Sequence, residues 1–276
     1  MLDLIKNLLE ETKEASALFK RTLVKDYLQL KVLSFIYSQP KYQDLVFYGG
    51  SCLKHCFNLP RLSEDLDFVA LKGKINLKIL TDDIEKFFEK KVGTKINTKI
   101  QKFRIYLKFP ILDRLDLAKK GESGLLILKI EIFRDFNFCK DYKIEIIPLF
   151  ERGESVLVRT FDLPTLMATK IRAILHRKWE KTNNKGKTLA KVKGRDYYDL
   201  MWYLGKNVKP NLKCIEGVLS KKELKKKLLE AVKKVDAKSI EFDLESLIKE
   251  KELVKDLGKN IREILINQLK KIAWLS

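Results

Sequence analysis

Apolar positions recur every three to four residues over the first 39 positions, which predicts two helices ending near Pro40. The first, Met1 to Glu11, is amphipathic. Beyond Pro40 the pattern shortens. Leu45-Val-Phe-Tyr48 is an apolar run that reads as a strand, Gly49-Gly50 interrupts it, and Ser51 to Phe57 reads as the start of a helix. In Asp65-Leu-Asp-Phe68 polar and apolar residues alternate. On a strand, Asp65 and Asp67 then share one face while Leu66 and Phe68 share the other. Thr81, followed by Asp82, Asp83 and Glu85, is a helix-start signal for a helix running to about Lys91. Phe103 to Phe109 alternates as a half-buried strand, and Gly121 to Gly124 marks a turn. Leu125 to Phe133 is a second long strand, with Leu126, Leu128, Ile130 and Ile132 on one face and Ile127, Lys129, Glu131 and Phe133 on the other.

After Pro148 the pattern reads as helical. Leu163 to Arg177 is a predicted helix with Pro164 in its first turn; Lys170 and Arg177 share one face, Arg172 and His176 a neighbouring one. Gly194 to Leu204 restarts a helix, with Asp196 and Asp199 on one face and Tyr197, Leu200, Met201 and Leu204 as its core stripe. From Lys221 onward the chain reads as Lys/Glu/Leu-rich helix with a solvated surface. Between these helices Lys181 to Lys193 is rich in lysine and free of acid, and it reads as an exposed basic loop. The length of 276 residues suits one large domain or two ordinary ones. No apolar run reaches the length of a membrane span, and the N-terminus lacks a signal-peptide pattern. Cys52, Cys56, Cys139 and Cys214 have no zinc-ligand spacing. Cys52 and Cys56, with His55 between them, read as a buried helix face, and the chain reads as cytosolic with its thiols reduced.

Chemistry enters through the acidic pair. Two neighbouring carboxylates repel, and a divalent ion removes that penalty; Mg²⁺ takes one or two carboxylates plus substrate phosphates at about 2.0–2.1 Å. The glycines between strand and helix leave backbone N–H groups uncovered at a helix N-terminus, where anions bind. A phosphate cradle beside metal-holding carboxylates is a nucleotide site. Glu131 is a third carboxylate that can join Asp65 and Asp67, or else pair with Lys129 or a cross-strand lysine; Glu145 is a weaker rival for the same role. The 57 Lys+Arg against 37 Asp+Glu leave a net charge of +20, which favours a polyanionic partner, nucleic acid first. A Lys/Glu-rich thermophile-like surface would raise both signs together, whereas here lysine outruns acid.

Five ordered motifs together resemble a known family: Gly49-Gly50-Ser51; Arg61-x-Ser63-x-Asp65-Leu-Asp67-Phe; Lys129-Ile-Glu131; Lys170-x-Arg172-Ala-x-x-x-Arg177; and Arg195-Asp196-x-Tyr-Asp199-Leu. They are similar to those of the AbiEii/AbiGii (MenA/MenT-like) nucleotidyltransferase toxins of the polymerase-β-like superfamily. The resemblance implies an α+β fold: a nucleotidyltransferase core of mixed twisted sheet and flanking helices over residues 1–150, then a mainly helical domain over 151–276, bilobed with the site between. It also implies a toxin opposed by a cognate antitoxin. The implied reaction is transfer of a nucleoside monophosphate from an NTP, with one or two Mg²⁺ ions on Asp65, Asp67 and Glu131. Gly49, Gly50 and Ser51, with Arg61 and Ser63 nearby, are expected to cradle the triphosphate. Lys170 is expected to neutralise phosphate charge, and Asp196 and Asp199 to complete the catalytic set. The expected acceptor is RNA, specifically a tRNA 3′ end, in the cytoplasm, with Arg177, Lys181, Lys185, Lys187, Lys191, Lys193 and Arg195 as candidate RNA contacts. Two other expectations stay open: a nucleotide- or RNA-binding protein without turnover, and transfer onto a protein hydroxyl.

Overall fold

A computed structural model of the chain describes residues 1–71, 73, 75–183 and 186–275. They divide into two compact units, one of Met1–Phe136 and Ile144–Thr160, the other of Asn137–Lys143 and Phe161–Ser276.

The first unit opens with helices α1 (Leu2–Glu10) and α2 (Ala17–Ser38). Ser16 caps α2 by accepting from the Phe19 N–H. Over its length α2 buries residues on every side, including the polar Thr22, Asp26 and Gln29, which makes it a core helix and not a surface one. Then come β1 (Leu45–Tyr48), α3 (Gly49–Phe57), β2 (Asp65–Ala70) and α4 (Leu77–Phe87). Three strands follow: β3 (Asn97–Gln101), β4 (Arg104–Pro110) and β5 (Leu125–Phe133). Last are β6 (Ile144–Glu151) and β7 (Glu154–Phe161). The seven strands form one mixed sheet in the order β3-β4-β5-β2-β1-β7-β6. Strand β2 lies antiparallel to β1 and parallel to β5, so the two most apolar segments flank the acidic strand. Leu66, Phe68, Leu128 and Ile130 point into the core and are fully buried, leaving the opposite face of β2 and β5 to Asp65, Asp67, Lys129 and Glu131.

Three expectations shift. Helix α4 begins at Leu77, capped by Asn76 accepting from Lys78 and Ile79, so the Thr81–Glu85 run lies inside it. The stretch around Pro148 is strand and not the start of helix. Strand β6 is the sheet's outer edge, where a missing N–H breaks no ladder, and β7 returns to lie parallel to β1 at Phe47 and Thr160. The sheet unit therefore extends past residue 150 to Thr160. Helix α3 starts at Gly49 itself.

The second unit contains α5 (Leu163–His176), the short strands β8 (Lys181–Thr182) and β9 (Thr188–Ala190), and α6 (Gly194–Gly205). It ends with α7 (Lys221–Lys233), α8 (Ala237–Leu244) and α9 (Lys251–Lys271). Asp162, Ser220 and Asp236 cap α5, α7 and α8 through their side chains. Tyr197, Leu200 and Leu204 of α6 are buried as the periodicity requires, joined by Tyr203. Within the segment read as a basic loop, Lys181–Thr182 and Thr188–Ala190 pair as two short antiparallel strands, β8 and β9. Cys52 and Cys56 are free, but Cys139 and Cys214 are joined in a disulfide with Cα atoms 4.3 Å apart, against the expectation of four reduced thiols. A pair separated by 75 residues leaves no local mark in the sequence. No helix among the described residues is long and apolar enough to cross a membrane.

Candidate active site

Within the sheet unit the turn from β1 into α3 is shaped by close approach. Gly49 adopts φ +81°, and a Cβ there would collide with the Asp67 carboxylate. A Cβ on Gly50 would lie 2.8 Å from Ser63 Oγ and 3.0 Å from the Arg61 guanidinium. The two glycines therefore let Asp67, Ser63 and Arg61 pack against the N-terminus of α3, whose first-turn N–H groups lack an intrahelical partner and favour negative charge. Ser51 donates from its hydroxyl to the Asp65 carbonyl, tying α3 to the start of β2. Behind this turn, Gln29 of α2 donates to the Ser63 carbonyl at 2.9 Å, and Arg61 donates to the Leu62 carbonyl at 2.7 Å. Arg61, Ser51 and Ser63 are buried. All three fix the loop in place as well as facing the turn.

Sheet register assembles the charged face. Asp65 lies opposite Lys129 and Asp67 opposite Glu131 across β2–β5, while Arg104 lies opposite Glu131 across β4–β5. Lys129 Nζ sits 3.0 Å from Asp65 Oδ2 and 2.9 Å from Glu131 Oε1. Arg104 Nε reaches the same Glu131 oxygen at 2.7 Å. Burial on its own would raise the Glu131 carboxyl, but Lys129 and then Arg104 outweigh it and hold the group below the usual carboxylate range. Burial likewise opposes the charge on Lys129, yet Asp65 and Glu131 raise it above the ordinary lysine value. Among the described residues no three His, Cys, Asp or Glu side chains stand together as an ion-holding group, and a lysine sits between Asp65 and Glu131. Asp65 and Asp67 fit the modest demand of Mg²⁺, which binds through one or two carboxylates with substrate phosphates. Glu131, held by two cations, does not fit as a third ligand in this arrangement. Glu145, the rival, is exposed on the edge strand β6.

The second unit builds its own charged centre. Lys170 of α5 places Nζ 2.7 Å from Asp199 Oδ2 and 3.6 Å from Asp196 Oδ1, and Arg177 Nη1 lies 2.9 Å from Asp196 Oδ2. Asp196 and Asp199 are buried, so their charges depend on these cations. The helical spacing read from the sequence brings together Lys170, Arg177, Asp196 and Asp199. Arg177 stays exposed while it pairs with Asp196.

The remaining candidate RNA contacts divide. Lys181, Lys187 and Lys191 are exposed on the hairpin and the turn after it. Arg195 lies against Asp243 at 4.0 Å, and Lys193 covers the Trp179 ring with its ammonium 4.7 Å from the centroid. Lys185 lies outside the described residues. Sequence reasoning missed two participants and one contact. Arg104 and Trp179 stand outside every motif. Lys129 reads from the sequence as a partner for Glu131 and as part of a motif, but its contact with Asp65 depends on which strands become neighbours.

The family model described as nucleotidyl transferase AbiEii toxin, type IV TA system, matches residues 33–273. Among solved structures, MenT4, a nucleotidyltransferase toxin from Mycobacterium tuberculosis H37Rv, superposes with a TM-score of 0.57 at 14% identity, covering 98% of this chain and 89% of that one. A Helicobacter pylori chain described as a putative nucleotidyltransferase is similar at 18% identity and a TM-score of 0.49, covering 91% of this chain and 96% of its own. No curated protein sequence matches significantly. With 33–273 of its 276 residues matched, the chain belongs to the AbiEii family of nucleotidyltransferase toxins from type IV toxin–antitoxin systems.

Proposed function

We propose that the protein transfers a nucleoside monophosphate from an NTP to the 3′ hydroxyl of an RNA, a tRNA by preference, in the cytoplasm, with a divalent ion, Mg²⁺, held by Asp65 and Asp67. The observation that carries this reading is the carboxylate pair of β2, with Asp67 packed directly against the helix N-terminus that two glycines form. In this reading the hydroxyl oxygen attacks the α-phosphorus and gives its proton to solvent, the bond between the α-phosphorus and the bridging oxygen of the β-phosphate breaks, and pyrophosphate leaves. A bound Mg²⁺ would lower the charge on the reacting phosphates. The N–H groups of Gly49, Gly50 and Ser51 hold phosphate oxygens, and Arg61 and Ser63 keep that turn in shape. Glu131 positions the attacking hydroxyl. Its depressed pKa makes it a weak proton acceptor, so orientation is its contribution rather than proton removal. The role read for Lys170 is to neutralise phosphate charge, with Asp199 and Asp196 holding its ammonium in one place. The net charge of +20 and the exposed lysines of the β8–β9 hairpin and the turn after it support a polyanionic acceptor.

The test is incubation with α-labelled NTPs, Mg²⁺ and total RNA. Label should enter an RNA band and vanish with Asp67→Ala, a loss of at least about 10³-fold. Equal labelling by the variant would refute the reading. Label on protein that survives ribonuclease would move the acceptor to a protein hydroxyl.

A further inference from the structure

Sheet register, and not a side-chain accident, places Lys129 among the acidic residues. It lies directly opposite Asp65 across the β2–β5 pairing and two positions before Glu131 on the same face. Its ammonium touches both carboxylates within 3.0 Å, and Arg104 reaches the same Glu131 oxygen as Lys129. Lys129 is itself only about a quarter exposed, so its charge is compensated by these acids more than by water. A lysine whose backbone is fixed in a strand stays next to its strand partner whichever rotamer it takes. A second divalent ion bridging Asp65 and Glu131 would have to share their oxygens with an ammonium held at hydrogen-bond distance, and like charges at that range repel strongly.

We propose that Lys129 takes the place of one of the two cations of a two-ion site, so that this enzyme takes up a single divalent ion on the Asp65–Asp67 pair. The inference rests on the reading above that Asp65 and Asp67 hold such an ion. Lys129 is in this sense a positioning residue: it neutralises Asp65 and, with Arg104, orients Glu131. Its charge sets how many ions the site accepts.

The experiment is a titration of the full chain with Mn²⁺ alone, followed by the loss of the free-ion paramagnetic signal, so that it reads binding and not turnover. The wild type should bind no more than one ion per chain at the site. Lys129→Met keeps the length of the side chain and removes its charge; it should admit a second ion or tighten binding by at least about tenfold. Lys129→Arg should behave as the wild type. If Lys129→Met proves misfolded by circular dichroism, Lys129→Gln carries the same readout. Two ions on the wild type would overturn the proposal, as would unchanged number and affinity in the uncharged variants while Asp67→Ala abolishes binding. Mn²⁺ binding that survives both Asp65→Asn and Asp67→Asn, or no binding by any form, would instead overturn the assignment of the ion to the carboxylate pair.

Discussion

Two glycines that share a backbone conformation separate strain from contact. Gly49 and Gly153 have φ of +81° and +79°, but only at Gly49 does an added Cβ meet a neighbour, the Asp67 carboxylate. Gly153→Ala should lower stability by about 1 kcal/mol and leave nucleotidyl transfer nearly unchanged, since only the left-handed backbone is penalised. Gly49→Ala should cost about 1–3 kcal/mol more and abolish transfer, because Asp67 must move. Denaturant midpoints and labelled-NTP turnover on both variants check this, and equal losses in turnover would remove Asp67 from the argument. Away from the site, Glu151 shows how the same physics reads in pH. Burial opposes its charge, but His55 at 3.1 Å and Lys54 at 2.8 Å pull its pKa down from 4.5 to about 2. A depressed carboxyl pKa stabilises the fold above the unfolded-state value, and that contribution is lost as pH falls from about 4.5 through about 2. Glu151→Gln should therefore flatten the stability–pH curve in this window. The expected difference, discounted for a side chain that is partly exposed, is about 1–2 kcal/mol, read from urea midpoints between the two limits.

At the scale of elements, legibility in the sequence followed local cause. Strands β1, β2 and β5 and helices α5 and α6 could be read because their own residues decide them: apolar runs, alternation, and Asp162 and Pro164 at a helix start. The edge hairpin β6–β7 could not, since Ile146, Phe150 and Leu157 are exposed and Pro148 argues against a strand unless its edge position is known. The same limit hid the counter-ions. Asp65 and Asp67 were legible from alternation alone, whereas Arg104 and the placement of Lys129 depend on which strands become neighbours. Cys139 and Cys214 are the extreme case, a link across 75 residues without local signal. That link ties the 137–143 segment to the loop before α7 within one unit. In the chain-entropy account, closing such a loop is worth about 4 kcal/mol, model-dependent. Thermal melts with and without reductant should differ, and Cys214→Ala should match the reduced wild type and no longer respond to reductant.

On the whole molecule the excess of positive charge is the property that reaches furthest from the site. A net charge of +20 raises the rate and strength of encounter with any polyanion, so affinity alone cannot show that RNA is the acceptor. Salt dependence resolves this. Each phosphate neutralised on single-stranded nucleic acid contributes about −0.7 to the slope of log affinity against log salt. Among the described residues, Lys181, Lys187 and Lys191 are exposed on β8, before β9 and in the turn after it; Arg177, also exposed, is paired with Asp196, and Arg195 lies against Asp243. Replacing the three lysines together by alanine should make the slope shallower by about 2, while a variant of Arg177 should act through Asp196 and stability instead. Asp67→Ala, which removes a negative charge from the sheet unit, should abolish transfer without making the slope shallower. Filter binding of a labelled RNA from 50 to 300 mM salt, over which the Debye length falls about 2.4-fold, measures these slopes. A slope unchanged by the triple replacement would take the hairpin out of the RNA path, and a shallower slope with Asp67→Ala would mean that binding and chemistry are not separable in this chain.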